Sequence, residues 1–479
     1  MTQHEIELGL KTLGLKAGDI VLLHSSLSSL GHVEGGADAV IDAFLAVMGA
    51  SGTLVAPAFG ALGVIPETLK LRPNAVSSIH PRASVVAVGG KAEELCRDHW
   101  KAETAHGEGT PYLRIAGMGG YICLLGVDQD RNTTLHSVEA LLRLPYLKRT
   151  AELTFATPEG EVTRSWPFFP GPHRDFIGLD RLLRKHQAMR VGRIGDSVVR
   201  LIKSREMVDV LLEIGREDPA FVLCDNPNCA DCTHQRTAIR RDRFAREAFT
   251  LAASSSLAGR YIPEMVETCQ AAGIEAIELD VLQGQPAQHV DPDRLVGAVA
   301  ELRKSGLEVT ALRVSAISEG VEIFLETAAA CRVQRVVLPL THGAAGYVGA
   351  AKESGVSLSF YNTGLSSVNV FERMADLRKR GMKVGLTFNA AGFARSGEKP
   401  FLDSYHNKLK RFIDQLDVED CTFDGTPAPL AGGNAEIKEL VSILRCATFG
   451  GYMVLGAGNR FGGRLLDAVE RFLELLETM

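Results

Sequence analysis

Leu124-Leu125-Gly126-Val127-Asp128-Gln129-Asp130-Arg131-Asn132-Thr133-Thr134-Leu135-His136-Ser137-Val138-Glu139 runs from an apolar strand through a polar turn into a helix. The helix opens with a histidine and carries a carboxylate three residues later. Residues three apart share a helix face, so His136 and Glu139 can hydrogen-bond. A neutral imidazole takes protons near neutral pH, and a neighbouring carboxylate fixes its tautomer and stabilises the imidazolium. His136 is therefore a candidate general base, with Glu139 or Asp130 as its orienting acid. The plainer alternative is a helix start capped by Asn132 or Thr133, with His136 at the surface.

Strand and helix signals alternate outward from that stretch. Apolar runs at 20–23, 53–57 and 121–126 interleave with helical runs beginning at Ala37 and Lys91. Segments 153–157 and 161–165, separated by Pro158-Glu159-Gly160, read as a hairpin. This half is expected to be an α/β sandwich with a mixed sheet. Composition turns loop-like over 218–234, where the boundary is placed. Beyond it, eight apolar strands, at 249–253, 276–280, 309–314, 333–340, 356–361, 384–389, 418–424 and 452–456, are each followed by a helical run. That count is the pattern of a (β/α)8 TIM barrel. The expected domains are 1–236, including a Cys-rich loop at 224–234, and 247–479.

Several ordered segments of the first half carry a resemblance. They are Val21-Leu22-Leu23-His24-Ser25-Ser26-Leu27-Ser28-Ser29-Leu30-Gly31, Gly52-Thr53-Leu54-Val55-Ala56-Pro57-Ala58-Phe59, the His80-Pro81-Arg82 to Gly89 run, Gly107-Glu108-Gly109-Thr110-Pro111, and the His136 stretch. In this order they resemble the aminoglycoside 3-N-acetyltransferase family, as far as about Ile214. The resemblance implies an acetyl-CoA-dependent N-acetyltransferase that acetylates a primary amine of an aminoglycoside or related amino sugar by direct transfer. His136 would be the base, with Glu139 and Asp130 at the matching acidic positions. CoA contacts would fall on Leu23, His24, Ser25, Ser26 and Leu27 and on Ser84, Val85 and Val86. Backbone N–H groups near 84–86 or the Ser25-Ser26 turn would serve as oxyanion donors.

One departure concerns the acceptor. Family members carry a longer loop where Phe59 is here followed almost at once by Gly63-Val64-Ile65-Pro66-Glu67. The donor side is kept and the acceptor side altered. Trp166-Pro167-Phe168-Phe169-Pro170-Gly171-Pro172-His173-Arg174-Asp175 offers an aromatic wall and a carboxylate for a cationic substrate. Asp175 and Glu108 are the expected acceptor contacts.

The second half resembles the xylose-isomerase-like sugar phosphate isomerases and epimerases, which hold a divalent metal with strand-end carboxylates. Here the fifth strand ends Tyr361-Asn362, the sixth Phe388-Asn389 and the eighth Leu455-Gly456, where that group has anionic ligands. A hard cation needs such oxygens, so the barrel is expected to be degenerate. Glu278, Asp280, His342, Asn362, Asn389, Asp424 and Asn459 remain as polar groups at its mouth. It would bind a small polyol or sugar, or serve as a scaffold or homodimer platform. The rival functions are therefore a sugar isomerase or epimerase and a non-catalytic CoA- or sugar-binding protein.

Composition bounds the rest. A net charge of −6 and a pI near 6.1 argue against nucleic acid, and the basic run 236–246 reads as a solvated linker or helix face. No basic start with an apolar core and no spanning apolar run is present, so a cytoplasmic protein without membrane association is expected. The nine cysteines are scattered except for one cluster, which fits a reducing compartment rather than a disulfide framework. Three of them, Cys224, Cys229 and Cys232, lie close to His234 in a turn-rich stretch and match the ligand types of a structural Zn2+ site. The one-residue gap between Cys232 and His234 is short for two ligands, and leaves open a fourth from elsewhere.

Overall fold

The computed structural model describes residues 1–60, 62–171, 173–317, 320–456 and 463–479. It divides into two units, Met1–Ile239 and Arg240–Met479, the division falling inside the helix Ala230–Ala245. No helix among the described residues is long and apolar enough to cross a membrane.

The first unit is built on a seven-stranded mixed sheet. Its order is Val76–Ser77, Val85–Gly89, Thr53–Pro57, Ile20–Ser25, Tyr121–Leu125, Ser197–Lys203 and Met189–Ile194. Only the central three strands are parallel to one another; the outer ones pair antiparallel. Parallel strands covered on both faces read as near-continuous apolar runs. Ile20-Val21-Leu22-Leu23 does so: Ile20 and Leu22 enter one core, Val21 and Leu23 the other. The hairpin Leu153–Thr157 with Gly160–Arg164 stands apart as its own two-stranded sheet.

The three parallel strands deliver their C-terminal ends, Pro57, Ser25 and Leu125, to one edge of the sheet, the usual place for ligands in open α/β folds. Gly126 follows at once with φ 67°, and a Cβ there would lie 1.7 Å from the Ser29 hydroxyl. That hydroxyl is itself tied to Ser26 O at 2.6 Å and Ser197 Oγ at 2.9 Å. Only glycine lets the two strand-end loops meet.

The second unit is a closed barrel of eight parallel strands in sequence order, Thr250–Ser254, Ala276–Leu279, Glu308–Arg313, Arg335–Pro339, Ser357–Tyr361, Val384–Asn389, Ile413–Val418 and Tyr452–Leu455. Closure is made by Thr250 pairing with Tyr452. The seventh strand differs from the expected 418–424. Asp420–Cys421 instead forms a small antiparallel pair with Pro427–Ala428.

The reason is that the real seventh strand, Ile413-Asp414-Gln415-Leu416-Asp417-Val418, carries polar residues that the barrel buries. Arg313 lies between two carboxylates, with Nε 2.6 Å from Glu278 Oε1 and Nη2 2.8 Å from Asp417 Oδ1. Gln415 Nε2 donates to both acids, at 3.0 and 2.8 Å. Burial pushes the Glu278 carboxyl up, Arg313 opposes that shift, and the guanidinium is itself held more firmly protonated despite its burial. A buried charge without its partner is costly, about 3–5 kcal/mol.

Arg313→Met should therefore destabilise the barrel by about 3–5 kcal/mol, because two buried carboxylates lose their counter-charge. Calorimetry of the full chain reads this as a drop in the barrel's transition. A change under about 1 kcal/mol would mean that the triad is dispensable.

Candidate functional site

The turn before the helix Leu135–Leu142 is fixed by its own polar residues. Asp128 caps the following turn through Gln129 N at 2.7 Å and pairs with Arg200 Nη2 at 2.8 Å. Gln129 reaches Asp180 Oδ1 at 2.9 Å and receives Asn132 Nδ2 at 3.0 Å. These side chains set the direction in which the helix leaves.

On that helix His136 Nδ1 meets Glu139 Oε2 at 2.8 Å. Glu139 is almost fully buried, and His136 keeps about a quarter of its side-chain surface. The second carboxylate oxygen, Oε1, accepts from Arg174 Nε, and the Arg174 guanidinium lies 4.7 Å from the centre of the Tyr146 ring. Burial alone would raise the Glu139 carboxyl, but the bonds and charges of His136 and Arg174 outweigh it and hold it below the ordinary carboxylate range. Asp130, the other expected orienting acid, is exposed and pairs with its neighbour Arg131 at 3.2 Å. A carboxylate six residues before His136, in the preceding turn, does not share its helix face.

The rings around His136 form a wall. His106 stands 5.5 Å from it and Phe176 5.4 Å, and His106 in turn packs on Tyr112 at 5.3 Å and Phe169 at 5.9 Å. Behind them His80 stacks on His99 at 4.8 Å and packs tilted against Trp166 at 4.2 Å. His106 and Arg174 are the neighbours that sequence reasoning missed. Arg174 was visible only as part of a polar loop tip, and His106 as the residue before a glycine turn. Glu108 and Asp175, the expected acceptor contacts, are both exposed. The Asp175 backbone N–H is tied to Val222 O at 2.9 Å.

The expected CoA positions separate. Ser25, Ser26 and Leu27 line a cavity of about 590 Å3 together with His32, Gly36 and Val64. Leu23 is wholly in the core and His24 is buried beside it, so neither side chain faces that cavity. Val85 and Val86 are likewise buried on opposite faces of the sheet, because a strand alternates its side chains; Ser84, at the strand's start, is half-buried. Two of the expected oxyanion donors are already used: the Val85 N–H bonds Ser78 Oγ and the Ser26 N–H bonds Leu125 O, both at 2.9 Å.

The thiol cluster has a different fourth member from the one expected. Cys224, Cys229, Cys232 and His173 bring four ligand atoms within 4.8 Å of one another. His234 is exposed on the helix that also carries Cys232. Two residues on a helix point about 200° apart, so Cys232 and His234 cannot converge. His173 comes instead from the proline-rich loop and places Nδ1 3.5 Å from Cys232 Sγ and 3.7 Å from Cys229 Sγ.

In the barrel, Asp280, Arg313, Tyr361, Asn362, Asn389 and Glu419 line a cavity of about 760 Å3 at the C-terminal strand ends. Several of these groups serve the frame: Asp280 accepts from Ser255 and Ser256, Asn362 bonds its own loop, and Asn389 caps the next helix. Glu278 is part of the interior triad rather than the mouth. Asp424 lies in an exposed turn with Thr426 N at 3.0 Å, and His342 is exposed against Arg373. Asn459 lies outside the described residues.

Comparison with known proteins points to one family. The aminoglycoside 3-N-acetyltransferase family model matches residues 22–62 and 59–214. Aminoglycoside N(3)-acetyltransferase VIII of Streptomyces fradiae is 36% identical over 181 residues, 30% of this chain and 63% of that protein, so less than two thirds of its length is matched. Aminoglycoside N(3)-acetyltransferase IV of Salmonella sp. is 31% identical over 233 residues, 44% of this chain and 87% of that protein. Among solved structures, AAC-IIIb in its binary form with CoASH is 26% identical, covers 45% of this chain and 97% of its own, and superposes with a TM-score of 0.42.

Burial of histidines in the first unit has a measurable consequence. Desolvation lowers His24 and His80 to about 3 and His99 to about 4, from 6.5. The unfolded chain therefore binds more protons between those values, so stability is fully present above about pH 6.5 and falls as pH drops through that window. The loss per histidine is up to about 1.4 kcal/mol per pH unit. The melting temperature of the N-terminal unit should fall between pH 7 and 5, and His80→Gln should flatten that dependence. An unchanged slope in the variant would show that His80 protonates freely in the fold.

Proposed function

Because the chain belongs to the aminoglycoside 3-N-acetyltransferase family, we propose that its first unit transfers an acetyl group from acetyl-CoA to a primary amine of an aminoglycoside or related amino sugar, acting in the cytoplasm. The observation that carries this reading is the Arg174–Glu139–His136 chain, in which a buried carboxylate oriented by a guanidinium holds one ring nitrogen of a partly exposed imidazole. With Nδ1 engaged by Glu139, Nε2 is the nitrogen left to face a substrate. An aminoglycoside amine is protonated in water and must lose a proton to attack. One proton goes to solvent as the ammonium becomes the free amine, and His136 takes a second as the amine nitrogen bonds the thioester carbonyl carbon. The carbon–sulfur bond then breaks, CoA leaves as thiolate, and the proton passes back to it from the imidazolium. Glu139 stabilises that imidazolium, and Arg174 keeps the carboxylate ionised in its buried place.

The donor is read into the cavity at Ser25, Ser26 and Leu27, where small hydroxyl side chains and a strand end suit a pyrophosphate and pantetheine arm. The amine acceptor is read against the ring wall of Phe169, Phe176 and His106, with Glu108 and Asp175 as acidic groups at its exposed side. A zinc ion on Cys224, Cys229, Cys232 and His173 belongs to the same reading, as a closed site without a catalytic position. The barrel is read as a TIM barrel of the xylose-isomerase-like kind serving as a scaffold. The guanidinium of Arg313, set between Glu278 and Asp417, supplies fixed positive charge inside it.

Acetyl-CoA-dependent thiol release in the presence of aminoglycosides and amino sugars tests this function. His136→Ala should lower turnover by about 10²–10⁴-fold, with CoA affinity unchanged, and Glu139→Gln should lower it in the same direction. Near-normal turnover by His136→Ala would remove the general-base assignment.

A further inference from the structure

We propose that the Cys224, Cys229, Cys232 and His173 cluster, closed on a thiophilic divalent cation of the Zn2+ type, is a clamp that positions the general base through Arg174. The inference rests on His136 being that base, as read above. A tetrahedral zinc with bonds of about 2.3 Å to sulfur and 2.0–2.1 Å to nitrogen has ligand-to-ligand edges of about 3.5–3.8 Å. The His173 Nδ1 to Cys232 and Cys229 Sγ separations, 3.5 and 3.7 Å, have that length. Four ligands from two separate segments, three thiols and one imidazole, make a closed set with no place for substrate.

What the cluster holds is the loop that ends in Arg174. His173 is also pinned by its backbone: its N–H donates to Asp231 Oδ2 at 3.1 Å, and its carbonyl accepts from Gln235 Nε2 at 3.0 Å. The next residue, Arg174, turns inward, keeps only 4% of its side-chain surface, and grips Glu139. Glu139 in turn holds His136 at 2.8 Å. From metal ligand to imidazole the path is one peptide unit, one ion pair and one hydrogen bond. Residues 170, 171 and 173–175 belong to no helix or strand, so the cluster supplies an anchor that secondary structure does not. Without the cation, three thiols and an imidazole have no common partner, and the His173 ring loses its anchor, leaving the loop only its hydrogen bonds to Asp231, Gln235 and Val222. Arg174 is thus a positioning residue. It acts on the reaction only through Glu139.

The experiment uses the full chain purified without a tag. Elemental analysis should give close to one equivalent of zinc, falling to background in a Cys229→Ser/Cys232→Ser double variant. Zinc is removed from the wild type with a thiol reagent and chelator and then restored. In parallel, Arg174→Ala and Arg174→Lys are examined with zinc in place. Removal of zinc and Arg174→Ala should each lower kcat by about 10–100-fold, leave KM for acetyl-CoA unchanged, and shift the His136 ring-nitrogen resonances in the same direction. Zinc return should restore the first, and Arg174→Lys should recover part of the second. The nitrogen resonances report on the clamp even if no acceptor is turned over, so failure of the acetyltransfer reading remains separate from failure of the clamp. One equivalent of zinc with kcat and His136 resonances indifferent to its removal would overturn the proposal, as would absence of zinc from the purified protein.

Discussion

The ion pair between Glu139 and Arg174 is the contact on which the arrangement around His136 depends. A carboxylate buried without donors would take up a proton and cease to orient an imidazole. Arg174 supplies the compensating charge to one oxygen and leaves the other for His136 Nδ1. Three parts of the chain must meet for this: the helix Leu135–Leu142, the loop ending at Arg174, and the Tyr146 ring under the guanidinium. Each is placed by a different force. The helix is directed by the Asp128, Gln129 and Asn132 bonds, the loop by its ties to the 222–235 segment, and the ring by core packing.

The barrel uses the same physics for a different end. There one guanidinium sits between two carboxylates deep inside the strands, each acid also hydrogen-bonded by Gln415. Buried ion pairs of this kind add little net stability over apolar packing, but breaking one leaves an uncompensated charge. Such a triad can therefore hold strand register, because a shift of one residue would turn Asp417 or Glu278 away from Arg313. In the first unit the buried charge faces a partly exposed imidazole. In the second it faces inward on all sides.

Much of this was legible in residue patterns. The apolar runs at 20–23, 53–57 and 121–126 marked three strands of a mixed sheet, since strands covered on both faces need no polar alternation. His136 and Glu139 were readable as a pair because helix geometry alone brings residues three apart together. Seven of the eight barrel strands announced themselves by the same apolar runs. The seventh did not, for Asp414, Gln415 and Asp417 look like surface residues until the partners that neutralise them are known.

The sequence by itself determined the local elements, the His136–Glu139 pair and the presence of three thiols with the chemistry to hold a metal. Tertiary structure decided which distant groups complete them. Arg174 lies 35 positions from Glu139 and His173 lies 59 from Cys232. His106 reaches His136 from a separate loop. It also buried the side chains of Leu23, His24, Val85 and Val86, four of the expected donor contacts, because strand alternation turns them to the two faces of a covered sheet. It replaced His234 by His173, since a helix separates ligands two residues apart while a folded loop can bring in one from far along the chain. Local spacing governs what neighbouring residues can do together. Long-range partners are chosen only when burial forces each charge or ligand to find a counterpart, and that choice is a property of the packed fold.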